Sequence, residues 1–81
     1  MRVPRDLSGA ELTRRLEHLG YQTTRQTGSH VRLTAYTPHG THHLTVPNHD
    51  PIRIGTLSAI LAAVCTHHGL TRDELLHRLL G

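Results

Sequence analysis

A short turn in the sequence delivers a histidine and an arginine to the start of one predicted strand. The turn contains Gly28 and Ser29, and His30, Val31 and Arg32 follow it. Gly28 can adopt the positive φ that a short hairpin connection needs, so the chain can reverse immediately before the histidine. Alternate residues of a strand share a face, which places His30 and Arg32 side by side at about 7 Å. An imidazole next to a guanidinium has the groups needed to move a proton beside a bound phosphate.

The charge balance favours an anionic partner. All nine basic residues are arginines, and the formal net charge is +3 with a sequence pI near 10.0. Arginine binds phosphate through two parallel hydrogen bonds, a geometry that lysine lacks. The nine histidines add positive charge whenever they are protonated, and an ordinary imidazole is partly protonated near neutral pH.

Length and composition limit the other classes of function. A chain of 81 residues that is 36% hydrophobic predicts one small domain over residues 1–81, with a thin core and no cavity for a large organic cofactor. The functional site is therefore expected on the surface. No apolar run is long enough for a membrane span, no secretory signal is evident, and the single cysteine cannot form an internal disulfide. These features predict a cytoplasmic protein that uses neither a membrane nor a small-molecule cofactor.

Two helices are predicted from their capping signals. Ser8 and Glu11 form a capping box that opens the first helix, after an irregular arm over residues 1–7. Thr71 and Glu74 repeat the capping box at the start of a short C-terminal helix.

A third helix between them has the strongest apolar period in the sequence. It is predicted to begin near Ile54 and to end at Gly69. The apolar stripe consists of Leu57, Ile60, Leu61, Val64 and Cys65. The position of Cys65 within this stripe predicts a packing role and not a nucleophile. His67 and His68 are expected to form a solvated helix end.

Three strands are predicted between the first helix and the apolar one. They cover Tyr21 to Gln26, His30 to Tyr36 and Thr41 to Val46. Short turns join them into an antiparallel meander, and the period of two puts His43 and Thr45 on the same face as His30 and Arg32.

The order of these elements indicates an α+β fold. It is α-β-β-β-α with a short C-terminal helix, in which an antiparallel three-stranded sheet has its helices on one face. The opposite face is left open, and the imidazoles of the strands fall on that face.

A series of short motifs extends along nearly the whole chain. They are Ser8, Gly20-Tyr21, Arg25-Gln26, Gly28-Ser29-His30, Val46-Pro47, His49, Ile54-Gly55-Thr56-Leu57, Ile60-Leu61 and Gly69-Leu70. In this order and at these spacings, the sequence resembles the HicA toxin family of mRNA interferases. The resemblance implies a fold like the double-stranded-RNA-binding domain, ribonuclease activity against mRNA, a catalytic histidine at His30 and neutralisation by a HicB-type antitoxin. Members often have a histidine or an aromatic residue where Val31 stands, and lysines where this chain has arginine or no basic residue.

The chemistry of the residues agrees with that resemblance. RNA carries its own nucleophile, the 2′-hydroxyl, so cleavage needs a base, positive charge at the phosphate and an acid for the leaving oxygen. His30 suits the base and Arg32 suits the phosphate. His43 and His49 are candidates for the acid, and each is alternatively a phosphate contact or a residue of a turn. The expected RNA-binding residues are Gly28, Ser29, Arg32, His43 and His49.

Two other kinds of active site are disfavoured. Ser29 cannot be a nucleophile activated by His30, because neighbouring strand residues point to opposite faces. A zinc site is also disfavoured, because His42 and His43 diverge on a strand and no two histidines share a helix face at the spacing of a zinc motif. We therefore expect no metal.

Two further classes of function fit the same sequence. A noncatalytic RNA-binding module of this fold would bind RNA without cleaving it at any protein concentration. A protein-interaction domain would bind nucleic acid weakly and with little dependence on salt.

Overall fold

The computed structural model describes residues 5–80. Its elements in chain order are α1 (Gly9–Leu16), a 3-10 turn (Glu17–Leu19), β1 (Tyr21–Thr27), β2 (His30–Thr37), β3 (Gly40–Pro47), α2 (Ile54–His68) and α3 (Arg72–Leu80). The predicted α+β order is confirmed, and β2 begins at His30 as expected. Of the predicted arm over residues 1–7, the first four residues lie outside the described part of the chain, and residues 5–7 belong to neither a helix nor a strand.

The helix ends follow from local hydrogen bonds. The Ser8 hydroxyl accepts from the backbone N–H of Glu11 at 3.1 Å. At α3, the N–H of Thr71 donates to the Glu74 carboxylate at 2.9 Å, and the N–H of Glu74 donates to the Thr71 hydroxyl at 3.1 Å. Gly69 ends α2 with a φ of 66°. The predicted capping box at Thr71 is therefore confirmed in both of its hydrogen bonds. At Ser8 only the N-cap hydrogen bond forms, because the Glu11 carboxylate accepts from Arg14 and Arg15 instead.

The sheet is an antiparallel meander in the order β1-β2-β3. Only Gly28 and Ser29 connect β1 to β2, because Thr27 pairs with His30. Gly28 has a φ of 57° and Ser29 does not have a positive φ, which is the pattern of a type II′ hairpin turn. His30 is therefore the first residue of β2 and follows the turn directly.

A β-bulge at Thr24 interrupts the pairing of β1 with β2. Thr23 pairs with Leu33, and Arg25 pairs with Arg32, so Thr24 is the extra residue. Regular alternation from Thr23 would put Arg25 on the face that Leu33 buries. The bulge places Arg25 on the open face instead.

One face of the sheet packs against the helices. Its buried residues are Val31, Leu33, Ala35, Leu44 and Val46, and they form one cluster with buried residues of α1, α2 and α3. Leu57, Ile60, Leu61 and Val64 of α2 are buried in this cluster, as predicted, and Cys65 packs against it half-buried. The helices lie on one face, which is consistent with a fold like the double-stranded-RNA-binding domain.

No single described helix is both long enough and apolar enough to cross a membrane. Helices α2 and α3 satisfy that test of length and composition only as a pair, and they meet at a bend of 105°.

The C-terminal end of α2 differs from the expectation of a solvated end. His67 and His68 are half-buried. The Tyr21 hydroxyl lies 2.7 Å from Nδ1 of His42 and 2.9 Å from Nε2 of His68. The His67 ring stacks on His42 with centroids 4.3 Å apart, and its Nε2 lies 2.8 Å from the Thr37 hydroxyl. The sequence prediction is wrong here because these partners are distant along the chain. We call Tyr21, His42, His67 and His68 the histidine cluster.

Candidate nucleic-acid interface

The histidine that follows the β1–β2 turn lies in a shallow groove on the open face of the sheet. The groove has a volume of about 190 Å³ and is lined by Arg25, Thr27, His30, Arg32 and Thr45. All five side chains belong to exposed residues. We call it the His30 groove. Because its lining residues are exposed to solvent, a polymer can reach it from outside.

Two larger grooves lie beside α1, with volumes of about 270 and 310 Å³. Neither is lined by a histidine. The larger one carries the carboxylates of Asp6, Glu11 and Asp50, which would repel a phosphate. The His30 groove is smaller but has the chemistry that the other two lack.

Two arginines face each other in the His30 groove. Arg25 pairs directly with Arg32 in the β-ladder, and like charges at directly opposite positions destabilise a sheet. Within residues 5–80 neither guanidinium has an ion pair, because the salt bridges there join Glu11 to Arg14 and to Arg15. The pair is therefore a site of positive charge that a bound anion would stabilise.

Sequence reasoning does not identify Arg25 as a site residue. Regular alternation from Tyr21 places it on the core side, and only the bulge at Thr24 moves it to the open face. The available signal is weak, because β1 has no apolar residue after Tyr21 that would fix its alternation.

Backbone hydrogen bonds anchor the β1–β2 turn. The N–H of Asn48 donates to the Ser29 carbonyl at 2.6 Å, and the N–H of Gly9 donates to the His49 carbonyl at 2.8 Å. A Cβ on Gly9 would lie 2.8 Å from the Cα of Asn48 and closer still to the carbonyl oxygen of Pro47. The close approach of α1 to the backbone of these two residues therefore requires glycine. The turn, the segment after β3 and the start of α1 are thereby held together.

The sequence profile of the family described as "HicA toxin of bacterial toxin-antitoxin" matches residues 9–64. The match covers well over half of the chain and includes every residue of the His30 groove. The chain belongs to the HicA toxin family. It is therefore the toxin component of a toxin–antitoxin system, with an antitoxin as its partner. No curated protein and no solved structure matches the chain significantly.

The two candidate acids of this HicA toxin occupy different parts of the structure. His43 pairs with Thr34, which is four residues along β2 from His30, or about 13 Å. Its Nδ1 lies 2.9 Å from the Thr34 hydroxyl. His49 follows Pro47, which pairs with His30, by two residues, so its backbone lies at the same end of the sheet as His30.

The remaining sequence-predicted residues of the HicA toxin lie at or beside the His30 groove. Gly28 and Ser29 form the turn next to His30, and Arg32 lines the groove itself. The structure therefore brings these four residues together, while His43 lies on the same face but further along the sheet.

Several histidines of the HicA toxin contact the hydroxyl groups of tyrosine or threonine side chains. Within residues 5–80, no three His, Cys, Asp or Glu side chains are arranged as metal ligands. His42 and His68 instead contact the Tyr21 hydroxyl, and His43 and His67 contact threonine hydroxyls.

Proposed function

We propose that this HicA-family toxin is an endoribonuclease that cleaves mRNA in the cytoplasm, with His30 as the general base, and that a HicB-type antitoxin inhibits it. The observation that carries the proposal is the His30 groove. An exposed imidazole there lies beside two facing arginines that have no carboxylate partner within the described residues. This combination suits a phosphodiester substrate.

The proposed reaction needs no metal, because the substrate supplies the nucleophile. His30 accepts the proton of a 2′-hydroxyl, and the 2′-oxygen forms a bond to the adjacent phosphorus. The bond from phosphorus to the 5′-oxygen breaks, which leaves a 2′,3′-cyclic phosphate, and the 5′-oxygen takes up a proton from an acid or from water. Arg25 and Arg32 stabilise the negative charge that develops on the phosphoryl oxygens.

His49 is better placed than His43 to be the acid. It lies at the same end of the sheet as His30, whereas His43 is about 13 Å further along and contacts the Thr34 hydroxyl. An acid must be protonated to act, so it produces the decline of the rate at high pH. We expect His49→Ala to remove that decline in the pH–rate profile and His43→Ala to retain it.

Substitution of His30 tests the proposal. His30→Ala should lower the rate of RNA cleavage by about 10²–10⁴-fold. The melting temperature should stay nearly unchanged, because His30 is an exposed residue. His77→Ala, at an exposed position of α3, is the matched control and should cleave like the wild type. A His30→Ala variant that cleaves as fast as its parent would contradict the assignment.

The products distinguish this mechanism from a metal-dependent one. Cleavage should leave 2′,3′-cyclic phosphate ends and should continue in excess EDTA. Products with a free 3′-hydroxyl, or a reaction that stops in EDTA, would require a different mechanism.

The same groove supports the proposed mode of inhibition. A HicB-type antitoxin that places carboxylates opposite Arg25 and Arg32 would gain electrostatic complementarity and would cover His30 at the same time.

A further inference from the structure

A solvent-exposed tyrosine lies on the same face of the sheet as the His30 groove. Tyr36 is 78% exposed, whereas the other tyrosine of the chain, Tyr21, is 1% exposed. Tyr36 follows His30 by six residues on β2, so the two side chains share a face at a separation of about 20 Å. The core does not use the Tyr36 ring, and the ring is available to a ligand.

The surface between Tyr36 and the His30 groove is polar and carries no negative charge. At its middle, Thr34 is buried, and its hydroxyl contacts two exposed residues, the Thr24 hydroxyl at 3.1 Å and Nδ1 of His43 at 2.9 Å. Among the described residues that face this side of the sheet, Arg25 and Arg32 carry charge and no residue is a carboxylate. The face therefore has positive charge near one end and an aromatic ring at the other.

We propose that Tyr36 is a stacking site for a base of single-stranded RNA whose backbone continues into the His30 groove. This inference rests on the proposed function, because the RNA is the substrate of that function. Positive grooves follow a nucleic-acid backbone, and aromatic side chains on open sheets stack on splayed bases. In a duplex the faces of each base are covered by its neighbours, so an exposed ring selects a single strand.

The spacing defines the length of RNA that the face holds. At about 3.4 Å per stacked nucleotide, the separation of about 20 Å corresponds to about six nucleotides, and to fewer in an unstacked strand. Tyr36 is remote from the reacting atoms, so its contact should be equally strong in the bound substrate and in the transition state. Its loss should therefore raise KM and leave kcat nearly unchanged.

Binding of an uncleavable RNA tests the inference. The probe is a single-stranded ten-nucleotide RNA with 2′-O-methyl sugars, which cannot supply the 2′-oxygen nucleophile, measured against the full-length protein. Tyr36→Leu keeps an apolar side chain and removes the ring, and it should weaken binding by about 5- to 150-fold. Tyr36→Phe keeps the ring and is the matched control, which should bind like the wild type. Both variants should melt at the wild-type temperature.

Cleavage of a long natural RNA by the same proteins separates this inference from the proposed function. A rise in KM for Tyr36→Leu with kcat retained supports the stacking site. If the wild type binds and cleaves RNA while Tyr36→Leu binds it equally well, the stacking site is wrong and the proposed function stands. If the wild type neither binds nor cleaves RNA, both are wrong. Tighter binding of the same ten-nucleotide sequence as a duplex than as a single strand also overturns the stacking site.

Discussion

At the scale of single residues, Arg25 and Arg32 should control how RNA binding responds to salt. Each phosphate that a side chain neutralises releases counterions, so the loss of one contact reduces the slope of log K against log salt by about 0.7 for a single strand. Arg25→Gln and Arg32→Gln are each expected to have this effect, measured by titration of uncleavable RNA at several salt concentrations. Arg14→Gln is the control, because Arg14 lies on α1 and bonds Glu11. If both groove variants kept the slope of the wild type, Arg25 and Arg32 would not be part of the interface with RNA.

The same two substitutions should not reduce stability. Cross-strand pairs of side chains change the free energy of unfolding by roughly 0.2–1 kcal/mol, and directly opposed like charges lower it. Arg25→Gln should therefore raise the melting temperature slightly while it weakens RNA binding, a trade-off typical of functional sites. A clear loss of stability in thermal unfolding would show that the arginine has a structural role.

At the scale of secondary-structure elements, Gly9 controls how closely α1 approaches the chain after β3. An added Cβ would meet backbone atoms of Pro47 and Asn48, which cannot rotate away as a flexible side chain can. Gly9→Ala should therefore destabilise the fold by about 1–3 kcal/mol, measured by denaturant unfolding. Gly55→Ala is the matched control, since a Cβ there would meet nothing within 4 Å and alanine favours a helix. A Gly9→Ala protein as stable as Gly55→Ala would mean that the contact relaxes at no cost.

The histidine cluster should make the fold less stable in acid. Burial lowers the pKa of His42 and of His68 below 6.5, and the neighbouring His67 lowers both further. Burial raises the pKa of Tyr21 to about 12, so its hydroxyl keeps one hydrogen. That hydroxyl can donate to only one of its two imidazole partners, and protonation of both would leave it without an acceptor. The other nearby ionisable groups are His43 beside His42, and His39 and Arg78 beside His68, and charge repulsion from them also lowers the pKa of these two imidazoles.

The sign of the pH effect follows from these shifts. As the pH falls below about 6.5, the unfolded chain takes up protons on these histidines before the folded chain does, so the stability present above that pH is lost. The melting temperature should therefore drop between pH 7.5 and 5.5, values chosen to span roughly one pH unit on each side of the ordinary histidine pKa. The double variant His42→Gln with His68→Gln should flatten this dependence, while His77→Gln on α3 should retain it. An unchanged drop in the double variant would place the acid sensitivity elsewhere.

Those features that depend on near neighbours could be predicted from the sequence. The capping boxes at Ser8 and Thr71 each need a partner only three residues away, and the glycine turn before His30 is equally local. The face that Arg25 occupies depends on the register of β1 against β2, which the polar sequence of β1 does not fix. The environment of His68 depends on Tyr21, 47 residues earlier in the chain. Contacts between residues this far apart in the chain produce no local sequence pattern from which they could be predicted.

At the scale of the whole molecule, the antitoxin should cover the His30 groove. The groove is exposed and cationic, so a small partner protein can block it without changing the fold of the toxin. We expect a stoichiometric amount of the antitoxin to stop cleavage and to compete with uncleavable RNA. Hydrogen exchange of the complex should show protection at residues 25–32 and at residue 45. Protection confined to α2 and α3, with inhibition retained, would indicate that the antitoxin acts at a distance.

The sequence of strand β1 can change with little effect on the fold, although part of the strand lines the His30 groove. Of its seven residues only Tyr21 is buried, while Arg25 and Thr27 line the groove. Substitutions at exposed positions usually change stability by no more than about 0.5 kcal/mol, so residues 22–27 can vary with little effect on folding. Relatives could therefore acquire new RNA preferences through one strand. An antitoxin that contacts the same strand would then have to change together with its toxin. Each antitoxin would therefore inhibit its own toxin and not the toxins of related pairs.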